Sequence, residues 1–305
     1  MLKLDSQMLQ TIADLHSVPQ GAYNIRKNGE PLGRRSTENI EIRPKSDKPG
    51  IDIIVKPNTK NESVHIPVIL TETGLNDLVY NDFYIGENAD VVIVAGCGIH
   101  NDGGSASRHD GIHTFHLEKN SHIKYVEKHY GEGSGSGERI LNPQTIVNLG
   151  ENACAEMEMV QIKGVDSTKR DTEAFLEAGA KLLITERLMT HGAQYAESNV
   201  DITMNGAGSS AQIVSRSVGK EESVQIFHPR VIGNAPCRAH VQCDSIIMGS
   251  SKISSIPEID ANNSDAQLVH EAAIGKINSD QLLKLMTFGI SEEDAEEIIV
   301  QGFLK

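Results

Sequence analysis

The feature that most constrains this chain is a small polar turn that returns at a nearly constant interval. The turns read "IGENAD" around Asn88, "LEKNSH" around Asn120, "LGENAC" around Asn152, "LEAGAK" around Gly179, "NGAGSS" around Ala207 and "IGNAPC" around Asn234. Successive turns stand 32, 32, 27, 28 and 27 residues apart. Asn and Gly tolerate the positive φ that a tight turn asks for, whereas side chains with a bulky Cβ resist it. Between turns the chain alternates: Met157, Met159 and Gln161 oppose Glu156, Glu158 and Val160, the mark of a half-buried strand. A fixed period of this size, without intervening helices, points to stacked coils that bury their apolar faces against one another. The expected fold is mainly β, a β-helix or solenoid. An antiparallel sandwich is the rival, since turn chemistry alone does not separate the two.

The ends depart from the rhythm. Residues 1–75 begin with an amphipathic helix, Leu4, Met8, Ile12 and Leu15 on one stripe and Asp5, Gln7 and Asp14 off it. They continue as proline- and charge-rich chain suited to irregular structure and edge strands. Residues 76–270 form the expected coil core, and residues 271–305 turn helical. Ser279 is placed to cap "DQLLKLMTF", which stops at Gly289. Ser291 and Asp294 resemble a capping box, with Glu292, Glu293 and Asp294 in a first turn where the helix dipole favours negative charge. This pair of helices reads either as a partner-docking element or as a cover for the open end of the solenoid.

Composition excludes several functions. A formal charge of −14 argues against a nucleic-acid backbone as partner. No apolar run approaches the ~18 to 20 residues of a membrane span, and the start lacks a secretory signal pattern, so a cytoplasmic protein is expected. Four cysteines in 305 residues do not make a disulfide scaffold; each is core filler, free thiol or ligand.

The stretch "LVHEAAIGKI" carries His270 and Glu271, but Ile274 stands where a zinc-protease box needs its second histidine. Cys243 lies 27 residues before His270, the same step as the last turns. Stacking in register would set His270 one rung above Cys243, ~4.8 Å away, close enough to share a soft or borderline ion. Glu271 would point away unless the chain bends. The plain alternative makes Cys243 core and His270 a hydrogen-bonded edge residue. Cys97 ends an apolar strand beside glycines and near His100, and is better placed for ligation than Cys154. His100, His109, His113, His116, His122 and His129 crowd one region, and most are expected on turns and coil edges. "GEGSGSGE" lacks the Lys-Ser/Thr and the strand-to-helix frame of a phosphate loop.

The segments "YNIRKNGE", "GENA", "HVQCDSIIMG", "LVHEAAIGKI" and "DQLLKLMTFGISEEDAEEIIVQGF" together resemble the SufB/SufD family of iron–sulfur cluster assembly proteins. The likeness runs from about residue 20 to the end and is most specific in the last 70 residues. It implies a right-handed parallel β-helix with helical ends. It further implies a non-enzymatic scaffold that builds a transient iron–sulfur cluster and passes it to apoproteins. A SufC-type ABC ATPase would dock on residues 279–303, with Ser291, Glu292, Glu293, Asp294, Ile298 and Phe303 as candidate contacts. Cys243, His270 and Glu271 match positions implicated in cluster assembly, and Cys97 matches a further cysteine. The cysteine and glutamate make the chain more SufB-like than SufD-like.

Against that pattern the chain lacks a long N-terminal region and reads as a minimal form. Asn148 and Leu149 replace a frequent cysteine before the "GEN" turn, and Leu304 replaces a terminal one. A short SufB-like chain is expected to pair with itself. The alternatives are a SufD-like structural subunit without a cluster, and a β-helical carbohydrate-active enzyme. The latter fits poorly with a chain that has no tryptophan and 4% aromatic residues.

Overall fold

The computed structural model describes residues 3–305. Its strands form two sheets of ten and eleven, and the chain passes from one to the other and back as it advances. Neighbours along each sheet are parallel except at the N-terminal margin. There Ala22–Lys27 pairs antiparallel with Glu30–Arg35, and Ile40–Pro44 with Gly50–Val55. This is the stacked-coil architecture, a parallel β-solenoid, and the sandwich is excluded.

The turns follow from backbone sterics. Asn58, Asn88, Asn120 and Asn152 hold φ of 62, 57, 56 and 55°, the left-handed region, and Gly179 and Gly208 hold it in later coils. The asparagines also stack: the Asn120 amide donates to Asn88 Oδ1 at 3.1 Å. At the turn around Ala207 the positive φ falls on Gly208 instead. Asn234 plays another part, donating to Asn205 at 2.8 Å and accepting from Asn262 at 2.9 Å.

Between turns, alternate side chains point inward. In the first coils an apolar layer, with Ile53, Phe83 and Phe115 fully buried and the two phenyl rings stacked 4.3 Å apart, lies beside the buried polar side chains of Asp77, Asn81, His109 and His113. Further along the interior turns polar: Glu127, Arg170, Glu186, Ser198 and Ser215 are buried inside the coils. A polar interior is tolerated only where each group finds a partner, and these groups do, as described below.

Helix α1 (Lys3–Ala13) lies across the strands Lys60–Leu70, Asp90–His100 and His122–Glu132, burying Met8, Leu9 and Ile12. Its close approach explains two glycines. A Cβ at Gly96 would stand 2.4 Å from the Ile12 carbonyl oxygen, and one at Gly98 2.7 Å from the Met8 methyl carbon. Asp5, expected off the apolar stripe, is buried with its carboxylate on the Lys27 ammonium at 2.8 Å.

At the other end, α2 (Ser279–Thr287) is capped by Asn278 rather than Ser279: the Asn278 side chain accepts from the Asp280 amide at 2.8 Å. An asparagine one residue earlier supplies the same acceptor with the extended backbone that the cap needs. Helix α3 (Glu292–Phe303) has the expected box, Ser291 Oγ accepting from the Asp294 amide at 3.1 Å and donating to its carboxylate at 2.6 Å. Val300 and Leu304 pack on Val218 and Ile246, outward-facing residues of the ten-stranded sheet. The helices therefore lie along the flank of the solenoid, and its last coil stays uncovered. No helix among the described residues is long and apolar enough to cross a membrane.

Candidate functional site

Two strands build the first site. Arg238–Ile247 and Gln267–Gly275 are the last two rungs of the ten-stranded sheet. Their register differs from the expected one. Cys243 pairs with Ala272, and His270 pairs with Val241, 29 residues earlier. His270 is therefore displaced by two residues from the rung position above Cys243. The two residues nevertheless share the inward face, since strand side chains alternate with period two. The imidazole spans the offset, bringing Nε2 to 3.1 Å from Cys243 Sγ. Ser255, from the facing sheet, brings its hydroxyl to 3.2 Å of the same sulfur.

Burial raises the Cys243 pKa; the Ser255 hydrogen bond opposes this, while Asp244 and Glu186 add to it. Burial, and then His240, lowers that of His270. At neutral pH the pair is thus a protonated thiol beside a neutral imidazole, a donor meeting an acceptor. A soft or borderline cation that displaces the thiol proton finds a sulfur and a nitrogen ligand already converged. Glu271 is not part of this pair. It occupies the outward face, 65% exposed, with a carboxylate oxygen 3.4 Å from His240 Nε2.

A second thiol lies deeper. Cys97 faces inward on Asp90–His100, pairs across the rung with His129, and meets His109 from the facing sheet. Burial acts to raise its pKa, but His109 and His129 outweigh it and bring it down to about 7. His109 is held in turn by the Asp77 carboxylate at 2.9 Å. His129 Nε2 stands 3.6 Å from Glu127, which binds Arg170; the Arg170 Nε lies 3.6 Å from Glu186, and Glu186 accepts from Ser215 at 3.1 Å. Ser215 is the rung partner of Cys243. Linked polar side chains thus run inside the coils from one cysteine toward the other.

These positions correct the expectation for the histidines. His109, His113 and His129 are buried, and only His100, His116 and His122 remain partly open. Parity was the available signal: His109 and His113 share a face with Phe115 and Leu117, and Glu127 and His129 share one with Tyr125. His100 does not approach Cys97; it faces outward against Asp102 and Glu132. The glycines beside Cys97 seat α1 rather than open a ligand site.

Residues 79–303 match the SufBD core domain, described as SUF system FeS cluster assembly. The chain belongs to the SufBD family. A SufBD family iron–sulfur cluster assembly protein of Methanocaldococcus jannaschii is 26% identical over 290 residues, covering 93% of this chain and 90% of that one. One from Pyrococcus horikoshii is 25% identical over 280 residues, 90% of this chain and 83% of its own. One from Archaeoglobus fulgidus is 27% identical over 229 residues, and there the match spans only 60% of the relative. Cys97, Cys243, His270, α2 and α3 all fall within the matched SufBD core.

Cys97 and Cys243 of this SufBD core differ in a testable way. With the other three cysteines replaced by alanine, thiolate absorbance from Cys97 is expected to rise through pH 7, the thiol protonated below and ionised above. Cys243 tested alike should ionise only above the 9.0 of an ordinary thiol. A Cys97 midpoint at or above 9.0 would contradict its pairing with the two imidazoles.

Proposed function

We propose that the chain is a scaffold on which a nascent iron–sulfur cluster is assembled at Cys243 and His270 for delivery to apoproteins. The observation that carries this reading is the 3.1 Å approach of Cys243 Sγ to His270 Nε2 at the end of the solenoid, within a domain of an iron–sulfur assembly family. Thiolate sulfur with imidazole nitrogen suits iron, as cluster sites that mix cysteine and histidine show. Cys97 is the reserve site, its thiol balanced near neutrality by two imidazoles. Glu271 has no role at this pair within one chain.

The partner in this reading is a SufC-type ABC ATPase seated on α2 and α3. Leu283, Met286, Phe288 and Ile298 are exposed there, 61, 38, 74 and 49%. A groove of about 590 Å³ runs between the helices, with Ile298 and Phe303 in its wall. Ser291, Glu292, Glu293 and Asp294 form an exposed acidic start of α3 beside it. Exposed apolar side chains clustered in a groove are a common mark of a protein-binding face.

A second copy of the chain is the proposed neighbour of the last coil, where Ile259, Val269 and Ile274 are exposed on strands with one edge unpaired and Ile256 is exposed just after one of them. Pairing of such an edge with its symmetry mate satisfies the free backbone groups and covers the apolar side chains. The four free cysteines fit a reducing cytoplasm.

The test is anaerobic incubation of the full chain with ferric iron, sulfide and a thiol reductant, followed by desalting and visible absorption and Mössbauer spectroscopy. A retained chromophore that moves to an apo-ferredoxin is the expected result. A protein that emerges colourless, alone and with its ATPase, overturns the reading.

A further inference from the structure

Outside the coils, on the opposite face from Cys243 and His270, a second group of ligand-type side chains converges. Asp90, His122, Cys154 and Lys181 pair in register at the start of four successive rungs of the ten-stranded sheet. Rungs are ~4.8 Å apart, so outward side chains at matched positions stand next to one another. Glu156 lies two residues beyond Cys154 and therefore on the same face. One ligand atom from each of His122, Cys154 and Glu156 falls within 4.8 Å of the other two.

The imidazole is already oriented. The Asp90 carboxylate accepts from His122 Nδ1 at 2.9 Å, which fixes the proton there and leaves the Nε2 lone pair directed at the other two residues. Nε2 is shielded from solvent and has no hydrogen-bond partner, although a Glu156 carboxylate oxygen lies 3.4 Å from it. A lone pair facing a carboxylate at that distance is unfavourable unless a positive centre sits between them. A second proton on the ring is the competing occupant.

We propose that His122 Nε2, Cys154 Sγ and a Glu156 carboxylate oxygen form a mononuclear site for a divalent transition-metal ion of the zinc, cobalt(II) or iron(II) class. One nitrogen, one thiolate and one oxygen match that borderline class better than calcium or magnesium, which prefer all-oxygen shells. Binding exchanges the Cys154 thiol proton for the metal–sulfur bond and releases that proton to solvent. Three protein ligands leave a fourth position open, toward a groove of about 550 Å³ that includes Lys181 and Arg238 in its wall. Lys181, one rung beyond Cys154, favours an anionic fourth ligand. The site shares no residue with the Cys243–His270 pair, so either can fail without the other.

Anaerobic titration with cobalt(II) of the full chain carrying Cys97→Ala and Cys243→Ala, which removes the other two thiols with imidazole neighbours, tests the proposal, because cobalt bound to thiolate gives a sulfur-to-metal charge-transfer band. One equivalent is expected to develop that band. Cys154→Ser should abolish it, and Asp90→Asn should weaken binding by about 10- to 100-fold, the usual consequence of losing a carboxylate behind a ligating histidine. Circular dichroism of each variant confirms that the fold is kept, and the exposed Asp90 position gives a readout that does not depend on altering a ligand. Absence of the band in that chain, or its survival when Cys154→Ser is added, would each overturn the proposal.

Discussion

Cys243→Ala is expected to lose most of the cluster that the unaltered chain assembles from ferric iron and sulfide with a thiol reductant. The reason is local. Around the sulfur stand one imidazole nitrogen at 3.1 Å and one hydroxyl at 3.2 Å. Without the thiolate, these leave a single good ligand for iron, too few to retain a cluster through desalting. Folding is not expected to confound the result, because Cys and Ala are both small apolar residues and the site tolerates the missing atom at about 1 kcal/mol. The measurement is iron and sulfide content per chain after desalting, with circular dichroism as control. Full retention of both would move the site elsewhere, to Cys97 first.

The largest effect on stability is expected at Glu127. It is 1% exposed in the middle of the solenoid, and it carries a full charge because Arg170, His129 and His113 together outweigh the burial that would neutralise it. Glu127→Ala leaves the Arg170 guanidinium buried with only Glu186, 3.6 Å from its Nε, as a counter-charge. It also strips the Tyr125 hydroxyl of its acceptor at 2.9 Å. Removing one partner of a buried pair costs about 3–5 kcal/mol, and the remaining carboxylate argues for the lower part of that range. Replacing Arg170 by Met in the same chain should recover a good part of the loss, since the unpaired charge is then gone. Chemical denaturation followed by circular dichroism reads both. A loss under about 1 kcal/mol would show that water reaches this part of the interior.

How much of this was legible in the sequence differs by level. The coil architecture was readable because it rests on local sterics: asparagine accepts the positive φ at 88, 120 and 152, and alternation marks the strands between. Stacked coils were favoured over the sandwich by the period, too long for hairpins and without helices between, although turn chemistry alone does not separate the two. Cys243 and His270 were brought together by a 27-residue step that is not the rung step. The rungs are 29 apart here, and the reach of an imidazole made up the difference. Glu271 points outward as simple alternation requires.

The misreadings share one cause. Counting histidines by type sent them to the surface, whereas counting them by strand parity against Phe115 and Tyr125 places three inside. Burial of His109, His129 and Glu127 depends on charged partners as far off as Arg170, which only the coiling brings near. The glycines at 96 and 98 make room for α1, a packing partner more than 80 residues away in sequence.

The most direct examination of the central claim is pulsed electron paramagnetic resonance of the reconstituted, reduced cluster, in a chain whose histidines carry nitrogen-15. Direct ligation by His270 predicts a strong nitrogen coupling that disappears in His270→Cys, where a thiolate takes the place of the imidazole and the cluster signal persists in altered form. A spectrum without histidine coupling, or one unchanged by that substitution, would contradict it.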